Sequence, residues 1–303
     1  MPSTVIRSFQ YAAERGELSS IKVGTAGWNV PSRCRDAFAA SGTHLERYAR
    51  VFPIAEIDTS FYRHHRVTTY ARWAESVSKN FRFAVKLPRA LTHEQGLVRR
   101  PSATLERFIE EVSGLGRKLA VLLVQLPPSL AFASRAARGF FAVLTAALPR
   151  AVRIACEPRH ASWSSPRADE LLKQFGISRV AADPARWQHD ATPAGDPRLA
   201  YFRLHGSPRV YFSNYEEERL EQLHHQLLRP PDSATPCGAS STTPRTAMPR
   251  AMRCGCSGGS GHGDAADRST PLACAVAIAR SPSSFNSHPS ASSFSAPART
   301  AAT

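Results

Sequence analysis

The sequence predicts a parallel α/β barrel that stops one unit short of closure. Seven apolar runs of strand length between residues 20 and 206 each end in a polar cluster and then give way to a helix-like stretch. Runs such as Ala120-Val121-Leu122-Leu123-Val124 are apolar throughout, which implies burial on both faces, as in a parallel sheet covered by helices. The polar residues gather at the C-terminal ends of the runs, where a barrel brings them to one mouth. An open doubly wound sheet is the competing architecture, but no Gly-x-Gly-x-x-Gly follows an early strand.

The strands are expected at Ile21-Lys22-Val23, Ile54 to Ile57, Phe81 to Val85, Leu119 to Val124, Val152 to Ala155, Ile177 to Ala182 and Leu199 to Phe202. Between them, Val67, Tyr70, Trp73, Ala74 and Val77 recur at helical spacing, as do Leu105, Phe108, Ile109 and Val112, and later Leu171, Leu172 and Phe175. Ser165-Pro166 reads as an N-cap and first helical residue, because the hydroxyl satisfies an orphan N–H and proline has none to satisfy. Ser213-Asn214-Tyr215-Glu216 reads as a capping box opening a helix that carries Leu220, Leu223 and Leu227. Gly24 and Gly27 are expected to permit tight turns or close backbone approach after the first strand.

A chain of 303 residues fits one domain, since α/β barrels commonly reach about 250 residues. Its formal charge is +15, of which +11 falls in residues 1–228. Such a balance favours anionic partners, nucleic acid or phosphorylated small molecules. A solvated Arg-rich surface explains it as well, since Arg outnumbers Lys 34 to 5. Of the six cysteines only Cys34 and Cys156 lie in the patterned region, too few for a disulfide framework, so a reducing cytoplasm is expected. No apolar stretch reaches the roughly 18–20 residues of a membrane span, and no signal-peptide pattern opens the chain. A soluble protein with no membrane partner is therefore expected.

Composition divides the chain into an N-terminal extension (residues 1–20), the patterned region (21–228) and a tail (229–303). The tail is built of Ser, Ala, Pro, Thr, Gly and Arg, with no Lys, Trp or Tyr, and reads as disordered. Reading the codons behind Ala234 to Cys254 one frame over, with permitted third bases, spells Asp-Ala-Val-Trp-Cys-Ile-Phe-Asp-Asn-Thr-Ala-Tyr-Gly-His, an apolar strand with a polar end followed by a helix start. The expectation is that a single-nucleotide shift between about Leu228 and Ala234 has removed the eighth strand and last helix. Cys254-Gly255-Cys256 with His262 then reads as an accident of the wrong frame rather than half a metal site.

The motifs Gly24-Thr25-Ala26-Gly27-Trp28, Asp58-Thr59-Ser60-Phe61-Tyr62-Arg63, Phe83 to Pro88 with Thr92-His93, Gln125-Leu126-Pro127-Pro128, Glu157-Pro158-Arg159-His160 through Trp163, and Tyr201 to Gly206 occur in this order. Together they resemble the YecE-like proteins, a domain of unknown function. The resemblance implies a TIM-barrel-like fold and lends no activity. Pro158 stands where that pattern has Phe, and the Phe-Asp-Asn motif of the last strand occurs only in the shifted frame.

In a barrel, the strand ends gather carboxylates Asp58, Glu157 and Asp183, imidazoles His93, His160 and His205, and cations Lys86, Arg159 and Arg203, with Tyr62 and Gln125 beside them. Mixed charges at close quarters perturb pKa values, as acid–base catalysis requires. Glu157, Asp183 and His205 are therefore the candidate catalytic groups. The rest are candidate substrate-binding groups, with Lys86, Arg159 and Arg203 suited to a phosphate or carboxylate. Trp28, Trp163 and Phe61 could stack on a base or sugar ring, or simply pack. Arg63 and Arg89 read as solvated surface charge. Glu157, Asp183 and His205 match no known ligand spacing, so no metal is expected, and no cofactor is indicated.

Two functions follow. One is a barrel enzyme of hydrolase or phosphoryl-transfer type acting on an anionic substrate such as a nucleotide or nucleic acid. The other is a non-catalytic nucleic-acid or anion-binding module. A frameshifted copy would be impaired in either.

Overall fold

A computed structural model describes residues 22–29, 36–94, 97, 102–187, 190–205, 222 and 272–276. Its strands run parallel, in chain order, around an incomplete barrel: β1 (Gly24–Ala26), β2 (Ile54–Ile57), β3 (Arg82–Lys86), β4 (Leu119–Gln125), β5 (Arg153–Glu157) and β6 (Ile177–Arg179). After Val180 the sixth strand resumes as β7 (Ala181–Asp183). β6 pairs with β5, while β7 pairs with β9 (Leu199–Leu204), so one stave joins two sheets. A short β8 (Ala194–Gly195) adds antiparallel to β6. These are the staves that the apolar runs predict.

The first strand sits later than expected, at Gly24–Ala26. Gly24 lies so close to β2 that a Cβ there would stand 2.0 Å from the Ile54 carbonyl oxygen, the close approach that a strand glycine permits.

Strand periodicity sorts the side chains. Alternate residues Ile54, Ala84, Val121, Leu123, Ala155, Leu199 and Tyr201 meet inside the barrel. Their neighbours Ala55, Ile57, Phe83, Val85, Leu122, Val124 and Cys156 face outward into a second core beneath the helices. One step further along the inward face stand Glu56, Lys86, Gln125, Glu157 and Arg203, all buried. A period of two therefore lifts an apolar floor directly into a polar layer.

The helices cover the outward face. α1 (His44–Ala49), which the apolar periodicity did not reveal, opens on a Thr43/Glu46 capping box. α2 (Val67–Glu75) buries Tyr70 but leaves Val67, at its first turn, 40% exposed. α3 (Ala103–Ser113) buries Leu105, Phe108 and Val112. α4 (Ser134–Ala147), the helix-like stretch after the fourth run, buries Ala137, Phe140, Phe141 and Leu144 at i, i+3, i+4 and i+7. α5 (Pro166–Gln174) begins as predicted, with the Ser165 hydroxyl accepting from the Ala168 N–H at 3.3 Å. The helix expected from Ser213 lies outside the described residues, apart from helical Gln222.

Of the tail, residues 272–276 are described. β10 (Leu272–Val276) pairs in parallel with β9, Leu272 opposite Leu199 and Val276 opposite Arg203. The run Leu272-Ala273-Cys274-Ala275-Val276-Ala277-Ile278 is apolar, and an unpaired parallel edge attracts such a segment. Among the described residues no ladder joins β10 to β1, and the barrel is not closed.

Candidate functional site

Arg203 organises the polar layer. Its Nη2 donates to Glu56 Oε1 at 2.8 Å, and its Nη1 donates to Glu157 Oε2. Glu56 also accepts from the Tyr201 hydroxyl at 2.9 Å. Glu157, opposite Gln125 in the β4–β5 ladder, accepts from Gln125 Nε2 at 2.8 Å. His205 Nε2 lies 3.5 Å from Glu157 Oε1, and Arg159 Nε and Arg186 Nη1 each lie 3.6 Å from the same oxygen. Three guanidinium groups thus crowd one carboxylate.

Above this layer, short 3-10 turns follow β2, β3 and β5 at Thr59–Phe61, Arg89–Leu91 and Ala161–Ser164. The first two fold the chain over the mouth. Lys86 Nζ bonds Asp58 Oδ1 at 3.0 Å and stands 3.9 Å from the Phe61 ring centroid, a cation–π contact. His93 meets the same ring edge-on at 5.0 Å and bonds the Thr92 hydroxyl through Nδ1 at 2.8 Å. Together Asp58, Phe61, Tyr62, Lys86, Arg89, His93, Gln125, Arg159, Arg203 and His205 line a pocket of about 300 Å3.

Burial pushes the Glu157 carboxyl up, but Arg203 first, then His205 and Arg159, outweigh it and hold the group well below the usual carboxylate range. Burial also raises Glu56, and there Arg203 does not compensate, partly because Asp58 is close. Arg203 is held charged by both carboxylates despite its burial. Burial lowers Lys86 in spite of Asp58. It lowers His205 in spite of Glu157, and His93 with help from Lys86 and Arg159.

These shifts set a pH dependence. His65, His93 and His205 all bind a proton less readily when folded, so below the ordinary imidazole value of 6.5 the unfolded chain takes up more protons. Stability is therefore lost as pH falls from that value towards the lowered native ones. Glu157 continues the loss: its contribution is complete above 4.5 and vanishes as pH falls through its depressed native value. Glu56 opposes, with a contribution present below 4.5 and lost as pH rises through its raised native value. Thermal melts at fixed ionic strength are expected to show Tm falling between about pH 7.5 and 5.5; a flat or rising profile would contradict this.

The family described as Protein of unknown function DUF72 matches residues 22–252. The chain belongs to that family. UPF0759 protein YecE of Escherichia coli (strain K12) is 29% identical over 178 residues, which cover 57% of this chain and 62% of that protein. The match thus spans less than two thirds of that relative. UPF0759 protein YunF of Bacillus subtilis (strain 168) is 30% identical over 115 residues, 36% of this chain and 40% of that one. Crystal structures of DUF72 family proteins from Enterococcus faecalis V583 and Thermotoga maritima MSB8 have TM-scores of 0.57 and 0.54, with 21% and 23% identity. Each covers 69% of this chain, and 83% and 86% of its own. At that identity the likeness speaks for the fold alone.

Within this DUF72 barrel, Asp58, Tyr62, Lys86, His93, Gln125, Arg159, Arg203 and His205 come together around the pocket, with Glu157 directly beneath. Asp183 does not line it, although its carbonyl accepts from the His205 N–H at 2.8 Å. His160 does not line it either; its Nδ1 accepts from the Ser162 N–H at 3.2 Å and caps the turn after β5. Trp28 packs edge-on against Trp73 at 5.1 Å, on the outward side. Arg89 is exposed, as read from sequence, and pairs with Glu94 at 2.9 Å while also lining the pocket. Sequence reasoning passed over Glu56, Tyr201 and Arg186. For Glu56 a signal existed, since a carboxylate inside an otherwise apolar strand needs a buried partner.

Among the described residues, no three or more His, Cys, Asp or Glu side chains are grouped to hold a metal ion. No helix there is long and apolar enough to cross a membrane.

Proposed function

We propose that the pocket binds a small molecule bearing a phosphate or carboxylate, and that the barrel is an enzyme moving protons through His205. The observation that carries this is the charge count around Glu157. Arg203 is shared with Glu56, so the Glu157 carboxylate that faces Arg159 at 3.6 Å is already claimed. Among the described residues Arg159 Nε makes no hydrogen bond. A bound anion supplies the missing negative charge, and the planar guanidinium suits an oxyanion. The pocket's volume of about 300 Å3 admits a small ligand.

Chemistry would then follow from position. His205, held neutral by burial beside an ionised Glu157, is arranged to accept a proton, and Glu157 stabilises the imidazolium that results. Glu157 itself, locked by Arg203 and Gln125, positions His205 rather than carrying protons. Asp183 fixes the His205 backbone.

Calorimetric titration with inorganic phosphate tests the binding step. Arg159→Met is expected to weaken it by about tenfold or more, since a hydrogen bond to a charged group is worth about 1.5–3 kcal/mol. Equal affinity in both proteins would refute the reading. Turnover of a phosphomonoester lost in His205→Asn with binding retained supports the enzyme. Binding to a nucleic acid that collapses with salt yet ignores Arg159→Met would favour the non-catalytic module.

A further inference from the structure

Gln125 is 5% exposed and lines the pocket. Its Nε2 donates to Glu157 Oε2, the oxygen that also receives Arg203 Nη1. That partner fixes the amide: Glu157 is ionised and offers no proton, so the flipped amide would set two acceptor oxygens face to face. Oε1 is therefore the atom that Gln125 presents to the pocket, and among the described residues no donor reaches it. The nearby cations are committed elsewhere, Lys86 to Asp58 and Arg203 to Glu56 and Glu157.

An acceptor that a ligand closes off from water costs free energy unless a donor meets it, so a ligand that brings the donor is selected over one that does not. An ammonium group is a poor candidate, because it would enter among Lys86, Arg89, Arg159 and Arg203. A neutral hydroxyl carries no such penalty. We propose that the ligand is a hydroxylated oxyanion, a polyol phosphate or hydroxy acid, whose hydroxyl donates to Gln125 Oε1 while its anionic group lies on Arg159. This rests on the anion-binding reading given above.

Matched pairs test it on the full chain: glycerol phosphate against propyl phosphate, and lactate against propionate, each titrated calorimetrically with inorganic phosphate as reference. The hydroxylated member of at least one pair is expected to bind about tenfold more tightly, the value of one well-placed hydrogen bond. Which pair shows the preference tells phosphate from carboxylate. Gln125→Met is expected to bring the ratio close to one, and the wild-type ratio stands as a test even if that variant fails to fold. Equal binding within both pairs, while phosphate binds, overturns this inference and leaves the anion reading intact. No binding by any of the five overturns both.

Discussion

Arg203→Met is expected to destabilise the fold by about 3–5 kcal/mol, the range for removing one partner of a buried ion cluster. Its guanidinium lies between Glu56 and Glu157, whose residues are 0% and 1% exposed. Methionine fills much of the volume but leaves two carboxylates facing each other in a dry interior. Each would respond with a higher pKa than in the wild type, so the damage depends on pH. A carboxyl with a raised native pKa contributes stability below its unfolded value and loses it as pH rises. The gap between wild type and variant should therefore be wide at neutral pH and narrow in acid. Urea denaturation followed at both pH values measures it, and adding Glu56→Gln to Arg203→Met should recover part of the loss. A neutral-pH cost under about 1 kcal/mol, typical of an exposed pair, would mean that Arg203 does not organise this layer.

The strands were legible because parallel strands buried on both faces write themselves as apolar runs, and β4 is the plainest case. The polar layer was half legible. Lys86, Gln125, Glu157 and Arg203 stand at strand ends, where a barrel mouth is expected, but Glu56 sits inside the run Ile54 to Ile57 and was read as part of it. Only the pairing of Ala26 with Glu56 and the inward position of Ile54 show that Glu56 belongs to the inner face. Aromatic residues gave the weakest signal. Trp28, Phe61 and Trp163 all follow strands, yet Phe61 lines the pocket while both tryptophans pack behind the sheet. Residue type and strand-end position cannot separate these outcomes, because the turn after each strand decides which way the ring swings. Within the tail the pairing of Leu272–Val276 with β9 had no signal in the composition, because it depends on the open edge of β9, a property of the assembled sheet.

Trp163→Ala should separate packing from ligand contact. The residue is 0% exposed and its ring meets Phe132 at 5.0 Å and Phe141 at 6.4 Å, beneath α4. Its Nε1 donates to the Leu130 carbonyl at 3.0 Å, pinning the loop after β4. Truncation to alanine is expected to cost about 3–5 kcal/mol through cavity formation. Trp163→Phe keeps most of the packing and loses the indole N–H, so it should cost about 1–2 kcal/mol. Both values come from urea midpoints with an unchanged m-value. If Trp163 stacked on a ligand, Trp163→Phe would weaken phosphate-ester binding while hardly touching stability. The opposite pattern is expected, because the ring lies in the outward core and the anion site lies inside the barrel, with β5 between them.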